Sequence, residues 1–291
     1  MKRVVFINVI TIMLSFLMMS CSDGVKKDGV LLKGVFKVSD TKSVRFSQGN
    51  LQYNAGTGKK HKTATGEASG TWRFAENQWE VVGESNAYAS ADYDGWIDLF
   101  GWGTCGWSDS GAEAYQPWSI SEKNEAYYDG INLSGADWGV YNAVSNGGNE
   151  PGMWRTLTVE EWRYLLRNNK CTIGTVEGML CFMLIPSDLP SQSNITLIKQ
   201  DYFSIEDYAS NKYTAEEFRN LECLGVVALP CGGYRKGTAM YDVGTYGYYW
   251  SSSSYDSLNA YVFSFSSTYV GSDYYSYRYH GRSVRLVQDV Q

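Results

Sequence analysis

Two histidines and six cysteines in 291 residues bound the chemistry this chain can do. A Ser/His/Asp triad or a multi-histidine zinc site would have to draw on His61, His280 or both. His61 lies in Gly58-Lys59-Lys60-His61-Lys62, which reads as a solvated basic loop, and His280 closes a tyrosine-rich segment. Most hydrolase chemistry is thereby left without its base. After Cys21, the remaining Cys105, Cys171, Cys181, Cys223 and Cys231 form no C-x-x-C pair, so zinc is not expected. Cys223 and Cys231 could bridge a helix end to the next strand, or all five could be small buried hydrophobes. Asp92-x-Asp94-Gly95-x-x-Asp98 has the look of a calcium loop but lacks the EF-hand spacing and its closing glutamate. The adjacent Glu160 and Glu161 are no acid/base pair, because neighbouring helical residues do not face each other. No cofactor is expected, with calcium the weak alternative, and no enzyme activity.

The elements that must position these residues are short. The chain is 44% hydrophobic and 15% aromatic, with 30 glycines, which favours aromatic-rich, turn-broken β structure over helical bundles. Its formal charge of −6 offers no basic footprint for nucleic acid. Residues 72–118 carry six tryptophans with little periodicity and read as loops pinned by buried aromatics. Two helices announce themselves by capping boxes. Thr158 and Glu161 cap one, with Leu157 stapled to Trp162 and Val159, Trp162, Leu165 and Leu166 on one face. Thr214 and Glu217 cap the other, with Tyr213 over Phe218 and a face of Phe218, Leu221 and Leu224 that stops at Gly225. Strands are expected over 171–176, 179–185 around a Glu177-Gly178 turn, and 224–229. Two helices beside a small antiparallel sheet make an α+β domain.

At the amino terminus, Lys2-Arg3 precedes an apolar run over 4–19 and then Ser20-Cys21-Ser22-Asp23-Gly24. This is an export signal too short to span a bilayer comfortably, and Ser20-Cys21 resembles the lipobox of bacterial lipoproteins. Residues 1–20 are then a signal peptide, Cys21 the lipidated residue, 21–29 a tether and 30–291 a single domain. The expected location is the bacterial cell envelope, at the outer membrane, with a lipid anchor as the membrane contact.

Met153-Trp154-Arg155-Thr156-Leu157-Thr158-Val159-Glu160-Glu161-Trp162 resembles a segment of the formylglycine-generating enzymes and their non-catalytic relatives. Gly232-Gly233-Tyr234-Arg235, Gly247-Tyr248-Tyr249-Trp250-Ser251-Ser252 and Gly281-Arg282-Ser283-Val284-Arg285 resemble blocks of the major-paralogous-domain class of bacterial lipoproteins. The resemblance implies a C-type-lectin-like fold of the formylglycine-generating subtype, with short antiparallel strands, two main helices and long irregular loops. It does not carry the oxidase chemistry. Catalytic members use two close cysteines near the C-terminus, and this chain has none after Cys231. An oxidase or other enzyme on the same scaffold, and a structural or adhesion component of the envelope, are the alternatives to a binding protein.

Residues 234–280 hold 12 of the 23 tyrosines, among Ser, Gly and Asp, the residue types of antibody paratopes. Tyr261, Phe263 and Phe265 alternate with smaller residues, as if one face were buried and one presented. Residues 272–277 show no alternation. The expected exposed patch comprises Tyr255, Asp256, Ser257, Tyr269, Asp273, Tyr274, Tyr275 and Tyr277, joined by Tyr241 and Tyr246. The segment resembles the variable region of proteins diversified by retroelements. Its expected partner is a protein or a glycan.

Overall fold

The computed structural model describes residues 31–107, 115–123, 127–187, 189, 195–197, 208 and 210–290. The expected signal peptide, the expected tether and Cys21 lie outside them. Six strands come first: β1 (Phe36–Lys37), β2 (Ser43–Phe46), β3 (Leu51–Asn54), β4 (Lys60–Thr63), β5 (Gly66–Ser69) and β6 (Thr71–Phe74). After helix α1 (Trp138–Tyr141) follow β7 (Arg155–Thr156), α2 (Val159–Asn168), β8 (Lys170–Val176), β9 (Met179–Ile185), β10 (Lys212–Tyr213), α3 (Ala215–Cys223) and β11 (Val227–Pro230). The carboxy-terminal part is all strand: β12 (Tyr234–Lys236), β13 (Ala239–Tyr241), β14 (Tyr246–Ser254), β15 (Asn259–Ser266), β16 (Val270–Tyr277) and β17 (Leu286–Val290).

These strands form two four-stranded sheets, β1-β2-β17-β7 and β10-β8-β9-β11, the three-stranded sheet β14-β15-β16, and three two-stranded ribbons. Among the described residues, strand accounts for 39% and helix for 15%. The expected α+β class with two main helices, and with it the C-type-lectin-like assignment, is therefore overturned in favour of a β-dominated architecture of several small sheets. The reason is physical. Capping boxes make even short helices conspicuous, whereas two- to four-residue strands show too little periodicity to be read. Both capping boxes are formed, with Thr158 accepting from the Glu161 N–H at 3.2 Å and Thr214 from that of Glu217 at 3.3 Å. The second helix ends sooner than its expected face. Leu224 is its exposed C-cap, Gly225 turns at φ +95°, and β11 begins only at Val227.

Core packing fixes the three-stranded sheet rigidly. Register pairs Tyr249 with Phe263 and Gly247 with Phe265, and these rings join Trp162 of α2 and Phe182 of β9 on one side. Trp162 stacks on Phe263 at 4.6 Å and 9°. On the other side Trp250 and Val262 pack among Trp72, Phe100, Trp102 and Trp138. Both faces of β15 are thus buried, which corrects the expectation of one presented face. A large aromatic removed from either core would cost roughly 3–5 kcal/mol.

His61 has a plain structural role. His61 is half-buried on β4, its Nε2 2.8 Å from Asn142 Oδ1 and its Nδ1 3.2 Å from the Gly70 carbonyl, so the solvated loop is corrected to a packed ribbon. Burial lowers its pKa from the ordinary histidine value. Asp98 is also buried. It accepts from the Val82 N–H and Asn86 Nδ2, both at 2.8 Å, and burial pushes its carboxyl up to about 6. Asp92 and Asp94 are exposed, and among the described residues no three metal-ligating side chains converge. No helix of the described residues is long and apolar enough to cross a membrane.

Candidate binding site

Strand β16 is one of the two outer strands of its sheet, and one irregularity shapes everything around it. Register runs Tyr261↔Tyr275 and Val262↔Tyr274, then shifts, so that Ser264 meets Gly271. Phe263 is left opposite two residues, Ser272 and Asp273, which is a β-bulge. Past the bulge the side chains change faces, and the missing alternation over 272–277 is explained. Val270, Ser272 and Ser276 point inward, while Asp273, Tyr274, Tyr275 and Tyr277 are exposed.

The turn from β14 to β15 brings further tyrosines to the same edge. Asp256 Oδ1 accepts from the N–H groups of Leu258 at 2.8 Å and Asn259 at 2.7 Å and from Asn259 Nδ2 at 3.0 Å. Although slight burial acts the other way, these bonds hold the Asp256 carboxyl below the usual range. The turn sets Tyr255 flat against Tyr275, at 4.1 Å between centroids and 2° between planes. Tyr261 meets Tyr255 edge-on at 5.2 Å.

On the other flank a tyrosine wall is built from β12, β13 and β14. Tyr234 stacks on Tyr241 at 4.9 Å, Tyr246 on Tyr248 at 5.8 Å, and Tyr248 leans toward Tyr274 at 6.0 Å. Between the two groups lies an open depression of about 610 Å³. Its floor includes Arg282, only 2% exposed, with its guanidinium carbon 4.2 Å from the centre of the Tyr248 ring and 5.0 Å from that of Tyr234. Burial lowers the Arg282 pKa to about 10. His280 stands beside it, its Nδ1 3.0 Å from Ser276 Oγ. Burial first, and then the charges of Arg282 and Lys236, push the imidazole down to about 3, so it stays neutral.

Of the ten sequence-derived positions, Tyr255, Asp256, Tyr274, Tyr275 and Tyr277 line this depression. Tyr241 and Tyr246 extend its wall by stacking, and Ser257 is exposed at the tip of the neighbouring turn. Asp273 and Tyr269 stand apart. Asp273 pairs with Arg163 of α2 at 2.6 Å, and Tyr269 lies at the far end of β16 against Gly271. Sequence reasoning missed Tyr234, Asp242, Tyr248, Asn259, Ser276, His280 and Arg282. Tyr248 shares the strand parity of Tyr246, a usable signal. Arg282 was hidden inside a block that reads as framework.

A family model described as a domain of unknown function, DUF8237, matches residues 158–287, which include α2 and all of this depression. Comparison with curated proteins and with solved structures returned no match.

Proposed function

We infer that the protein is a lipid-anchored, non-enzymatic binding protein of the bacterial cell envelope whose site is the tyrosine-lined depression beside β16. The observation that carries this reading is the set of rings there. Tyr255, Tyr274, Tyr275 and Tyr277 are each between 45% and 47% exposed, yet the last three stand on β16, whose inward residues are buried in the core, and the first on the turn stacked against it. Half-exposed tyrosines on a rigid frame supply large contact area at low entropic expense. They can also be exchanged without disturbing the core, as a diversified surface would require.

The groups that would do covalent chemistry support the same reading. His280 is held neutral, and burial raises the thiols of Cys105, Cys181 and Cys231, so none is a ready thiolate. Cys231 is free, so the Cys223–Cys231 bridge is not formed. The export signal and the Ser20-Cys21 pair support envelope anchoring.

Arrays of glycans and of envelope proteins, probed with the soluble domain and with a Tyr255→Ala/Tyr274→Ala/Tyr275→Ala variant of normal folding, test the proposal. Specific binding by the native domain that the variant loses is expected. Equal binding by the two would remove the site.

A further inference from the structure

Four arginines of this domain are buried to 2% exposure or less, and three of them are spoken for. Arg235 donates to the carbonyls of Gly237, Leu99 and Ser119, and Arg278 to those of Tyr128, Gly130 and Asp256. Arg285 reaches Asn50 Oδ1, Gln48 O and Gln78 Oε1. Each of these leaves only its Nε unbonded. Arg282 is different. Its sole hydrogen bond runs from Nη2 to Ser276 Oγ at 2.7 Å, while both Nε and Nη1 are buried without a partner. It is also the one of the four that lines the depression.

A guanidinium withdrawn from water needs acceptors or a counter-charge. The faces of Tyr248, Tyr234, Trp250 and Tyr274, at 4.2 to 5.9 Å, offset part of that need. They accept no in-plane hydrogen bond. No carboxylate comes within ion-pair distance of Arg282 among the described residues. The nearest acid to act on it, Asp242, is occupied by the Tyr248 hydroxyl at 3.1 Å.

Resting on the reading of this depression as a binding site, we propose that Arg282 is its anion receptor and that the ligand is an acidic glycan, a uronic acid seating its carboxylate on the free guanidinium edge. Ser276 takes one of the two Nη2 protons, so the other, together with Nη1 or Nε beside it, leaves one edge that a planar carboxylate can match in a bidentate way. The rest of the lining selects the carrier. Asp242 and Asp256 face the same space, so a doubly charged phosphate or a cluster of sulfates meets repulsion, whereas one carboxylate flanked by hydroxyl donors does not. Stacked tyrosine faces suit the C–H faces of a sugar ring. Tyr274, which is 46% exposed and leans over Arg282, is the ring that must swing aside for the carboxylate to enter.

Titration calorimetry with glucuronic and galacturonic acid oligosaccharides, their carboxyl-reduced counterparts, a free-carboxylate tripeptide, inorganic phosphate and sulfate tests this. A uronate oligosaccharide is expected to bind at least about 30-fold more tightly than its reduced form, and Arg282→Met should erase that difference. Arg282→Met fills the aromatic box without charge and is expected to melt no lower than the native domain, because a desolvated cation is relieved. Tyr213→Phe, on β10 away from the depression, guards against a non-specific effect of substitution and should keep the preference. Equal binding of the reduced oligosaccharide, preference for the peptide, phosphate or sulfate, or no uronate binding up to millimolar concentration would each overturn the assignment of Arg282. In that event neutral ligands found on the arrays would leave the binding-site reading standing, and their absence would remove both.

Discussion

The Tyr255–Tyr275 stack offers the sharpest quantitative test of the surface. Each ring is 47% exposed, so about half of an aromatic side chain's roughly 200 Å² is withdrawn from water. At about 25 cal/mol per Å² that is roughly 2.5 kcal/mol. Side-chain ordering and residual compactness of the unfolded chain reduce it to about 1 kcal/mol. The stack at 4.1 Å adds a pairwise part of about 0.5 kcal/mol, at the low end for aromatic pairs because both outer faces are wet. Tyr255→Ala and Tyr275→Ala should therefore each destabilise by about 1.5 kcal/mol, and the double variant by about 2.5 kcal/mol rather than 3. Equilibrium urea unfolding of the four proteins measures this as midpoint shifts at constant slope. Single losses above about 3 kcal/mol would make the rings core members rather than a presented surface. A vanishing coupling would mean that the stack does not exist in solution.

Further outcomes follow from other parts of the chain. Cys21→Ser should release the protein from membranes, and unchanged partitioning would contradict lipidation at that residue. The folded-state pKa of His280, about 3 against an ordinary 6.5, means that the unfolded chain binds the extra proton first as pH falls. The native domain should therefore lose stability between about pH 6.5 and 3 relative to His280→Asn, and parallel pH profiles of the two would refute the buried neutral imidazole. At Gly233, φ is +67° and an added Cβ would collide with the Tyr241 carbonyl and lie 2.7 Å from Val243 N. At Gly244, φ is +79° but the space is open. Gly233→Ala should thus destabilise by clearly more than the roughly 1 kcal/mol of Gly244→Ala, and equal melting temperatures would refute that packing.

What the sequence discloses and what it hides divide along physical lines. Both capping boxes and the β8–β9 hairpin are local, so Thr158, Thr214 and the Glu177-Gly178 turn are legible without tertiary context. The sheets around them are not. Strands such as β7 and β10 are two residues long and owe their existence to partners distant in the chain. In the candidate site, composition pointed to the segment that lines the depression, but the bulge opposite Phe263 decides which side chains turn outward. That depends on register, not on residue type, which is why Tyr274 and Tyr275 meet the depression while Asp273 turns to Arg163. Arg282 escaped notice because a cation one residue from Ser283-Val284-Arg285 looks like framework until its missing acceptors are seen.

The central claim is that these tyrosines together form the ligand surface. The most direct measurement is ¹⁹F NMR of the 3-fluorotyrosine-labelled domain, titrated with a ligand identified on the arrays. The resonances of Tyr255, Tyr274, Tyr275 and Tyr277 should move together and saturate at one dissociation constant, while those of Tyr269 and the buried Tyr53 stay in place. Movement of Tyr269 with the other four unchanged would contradict the account.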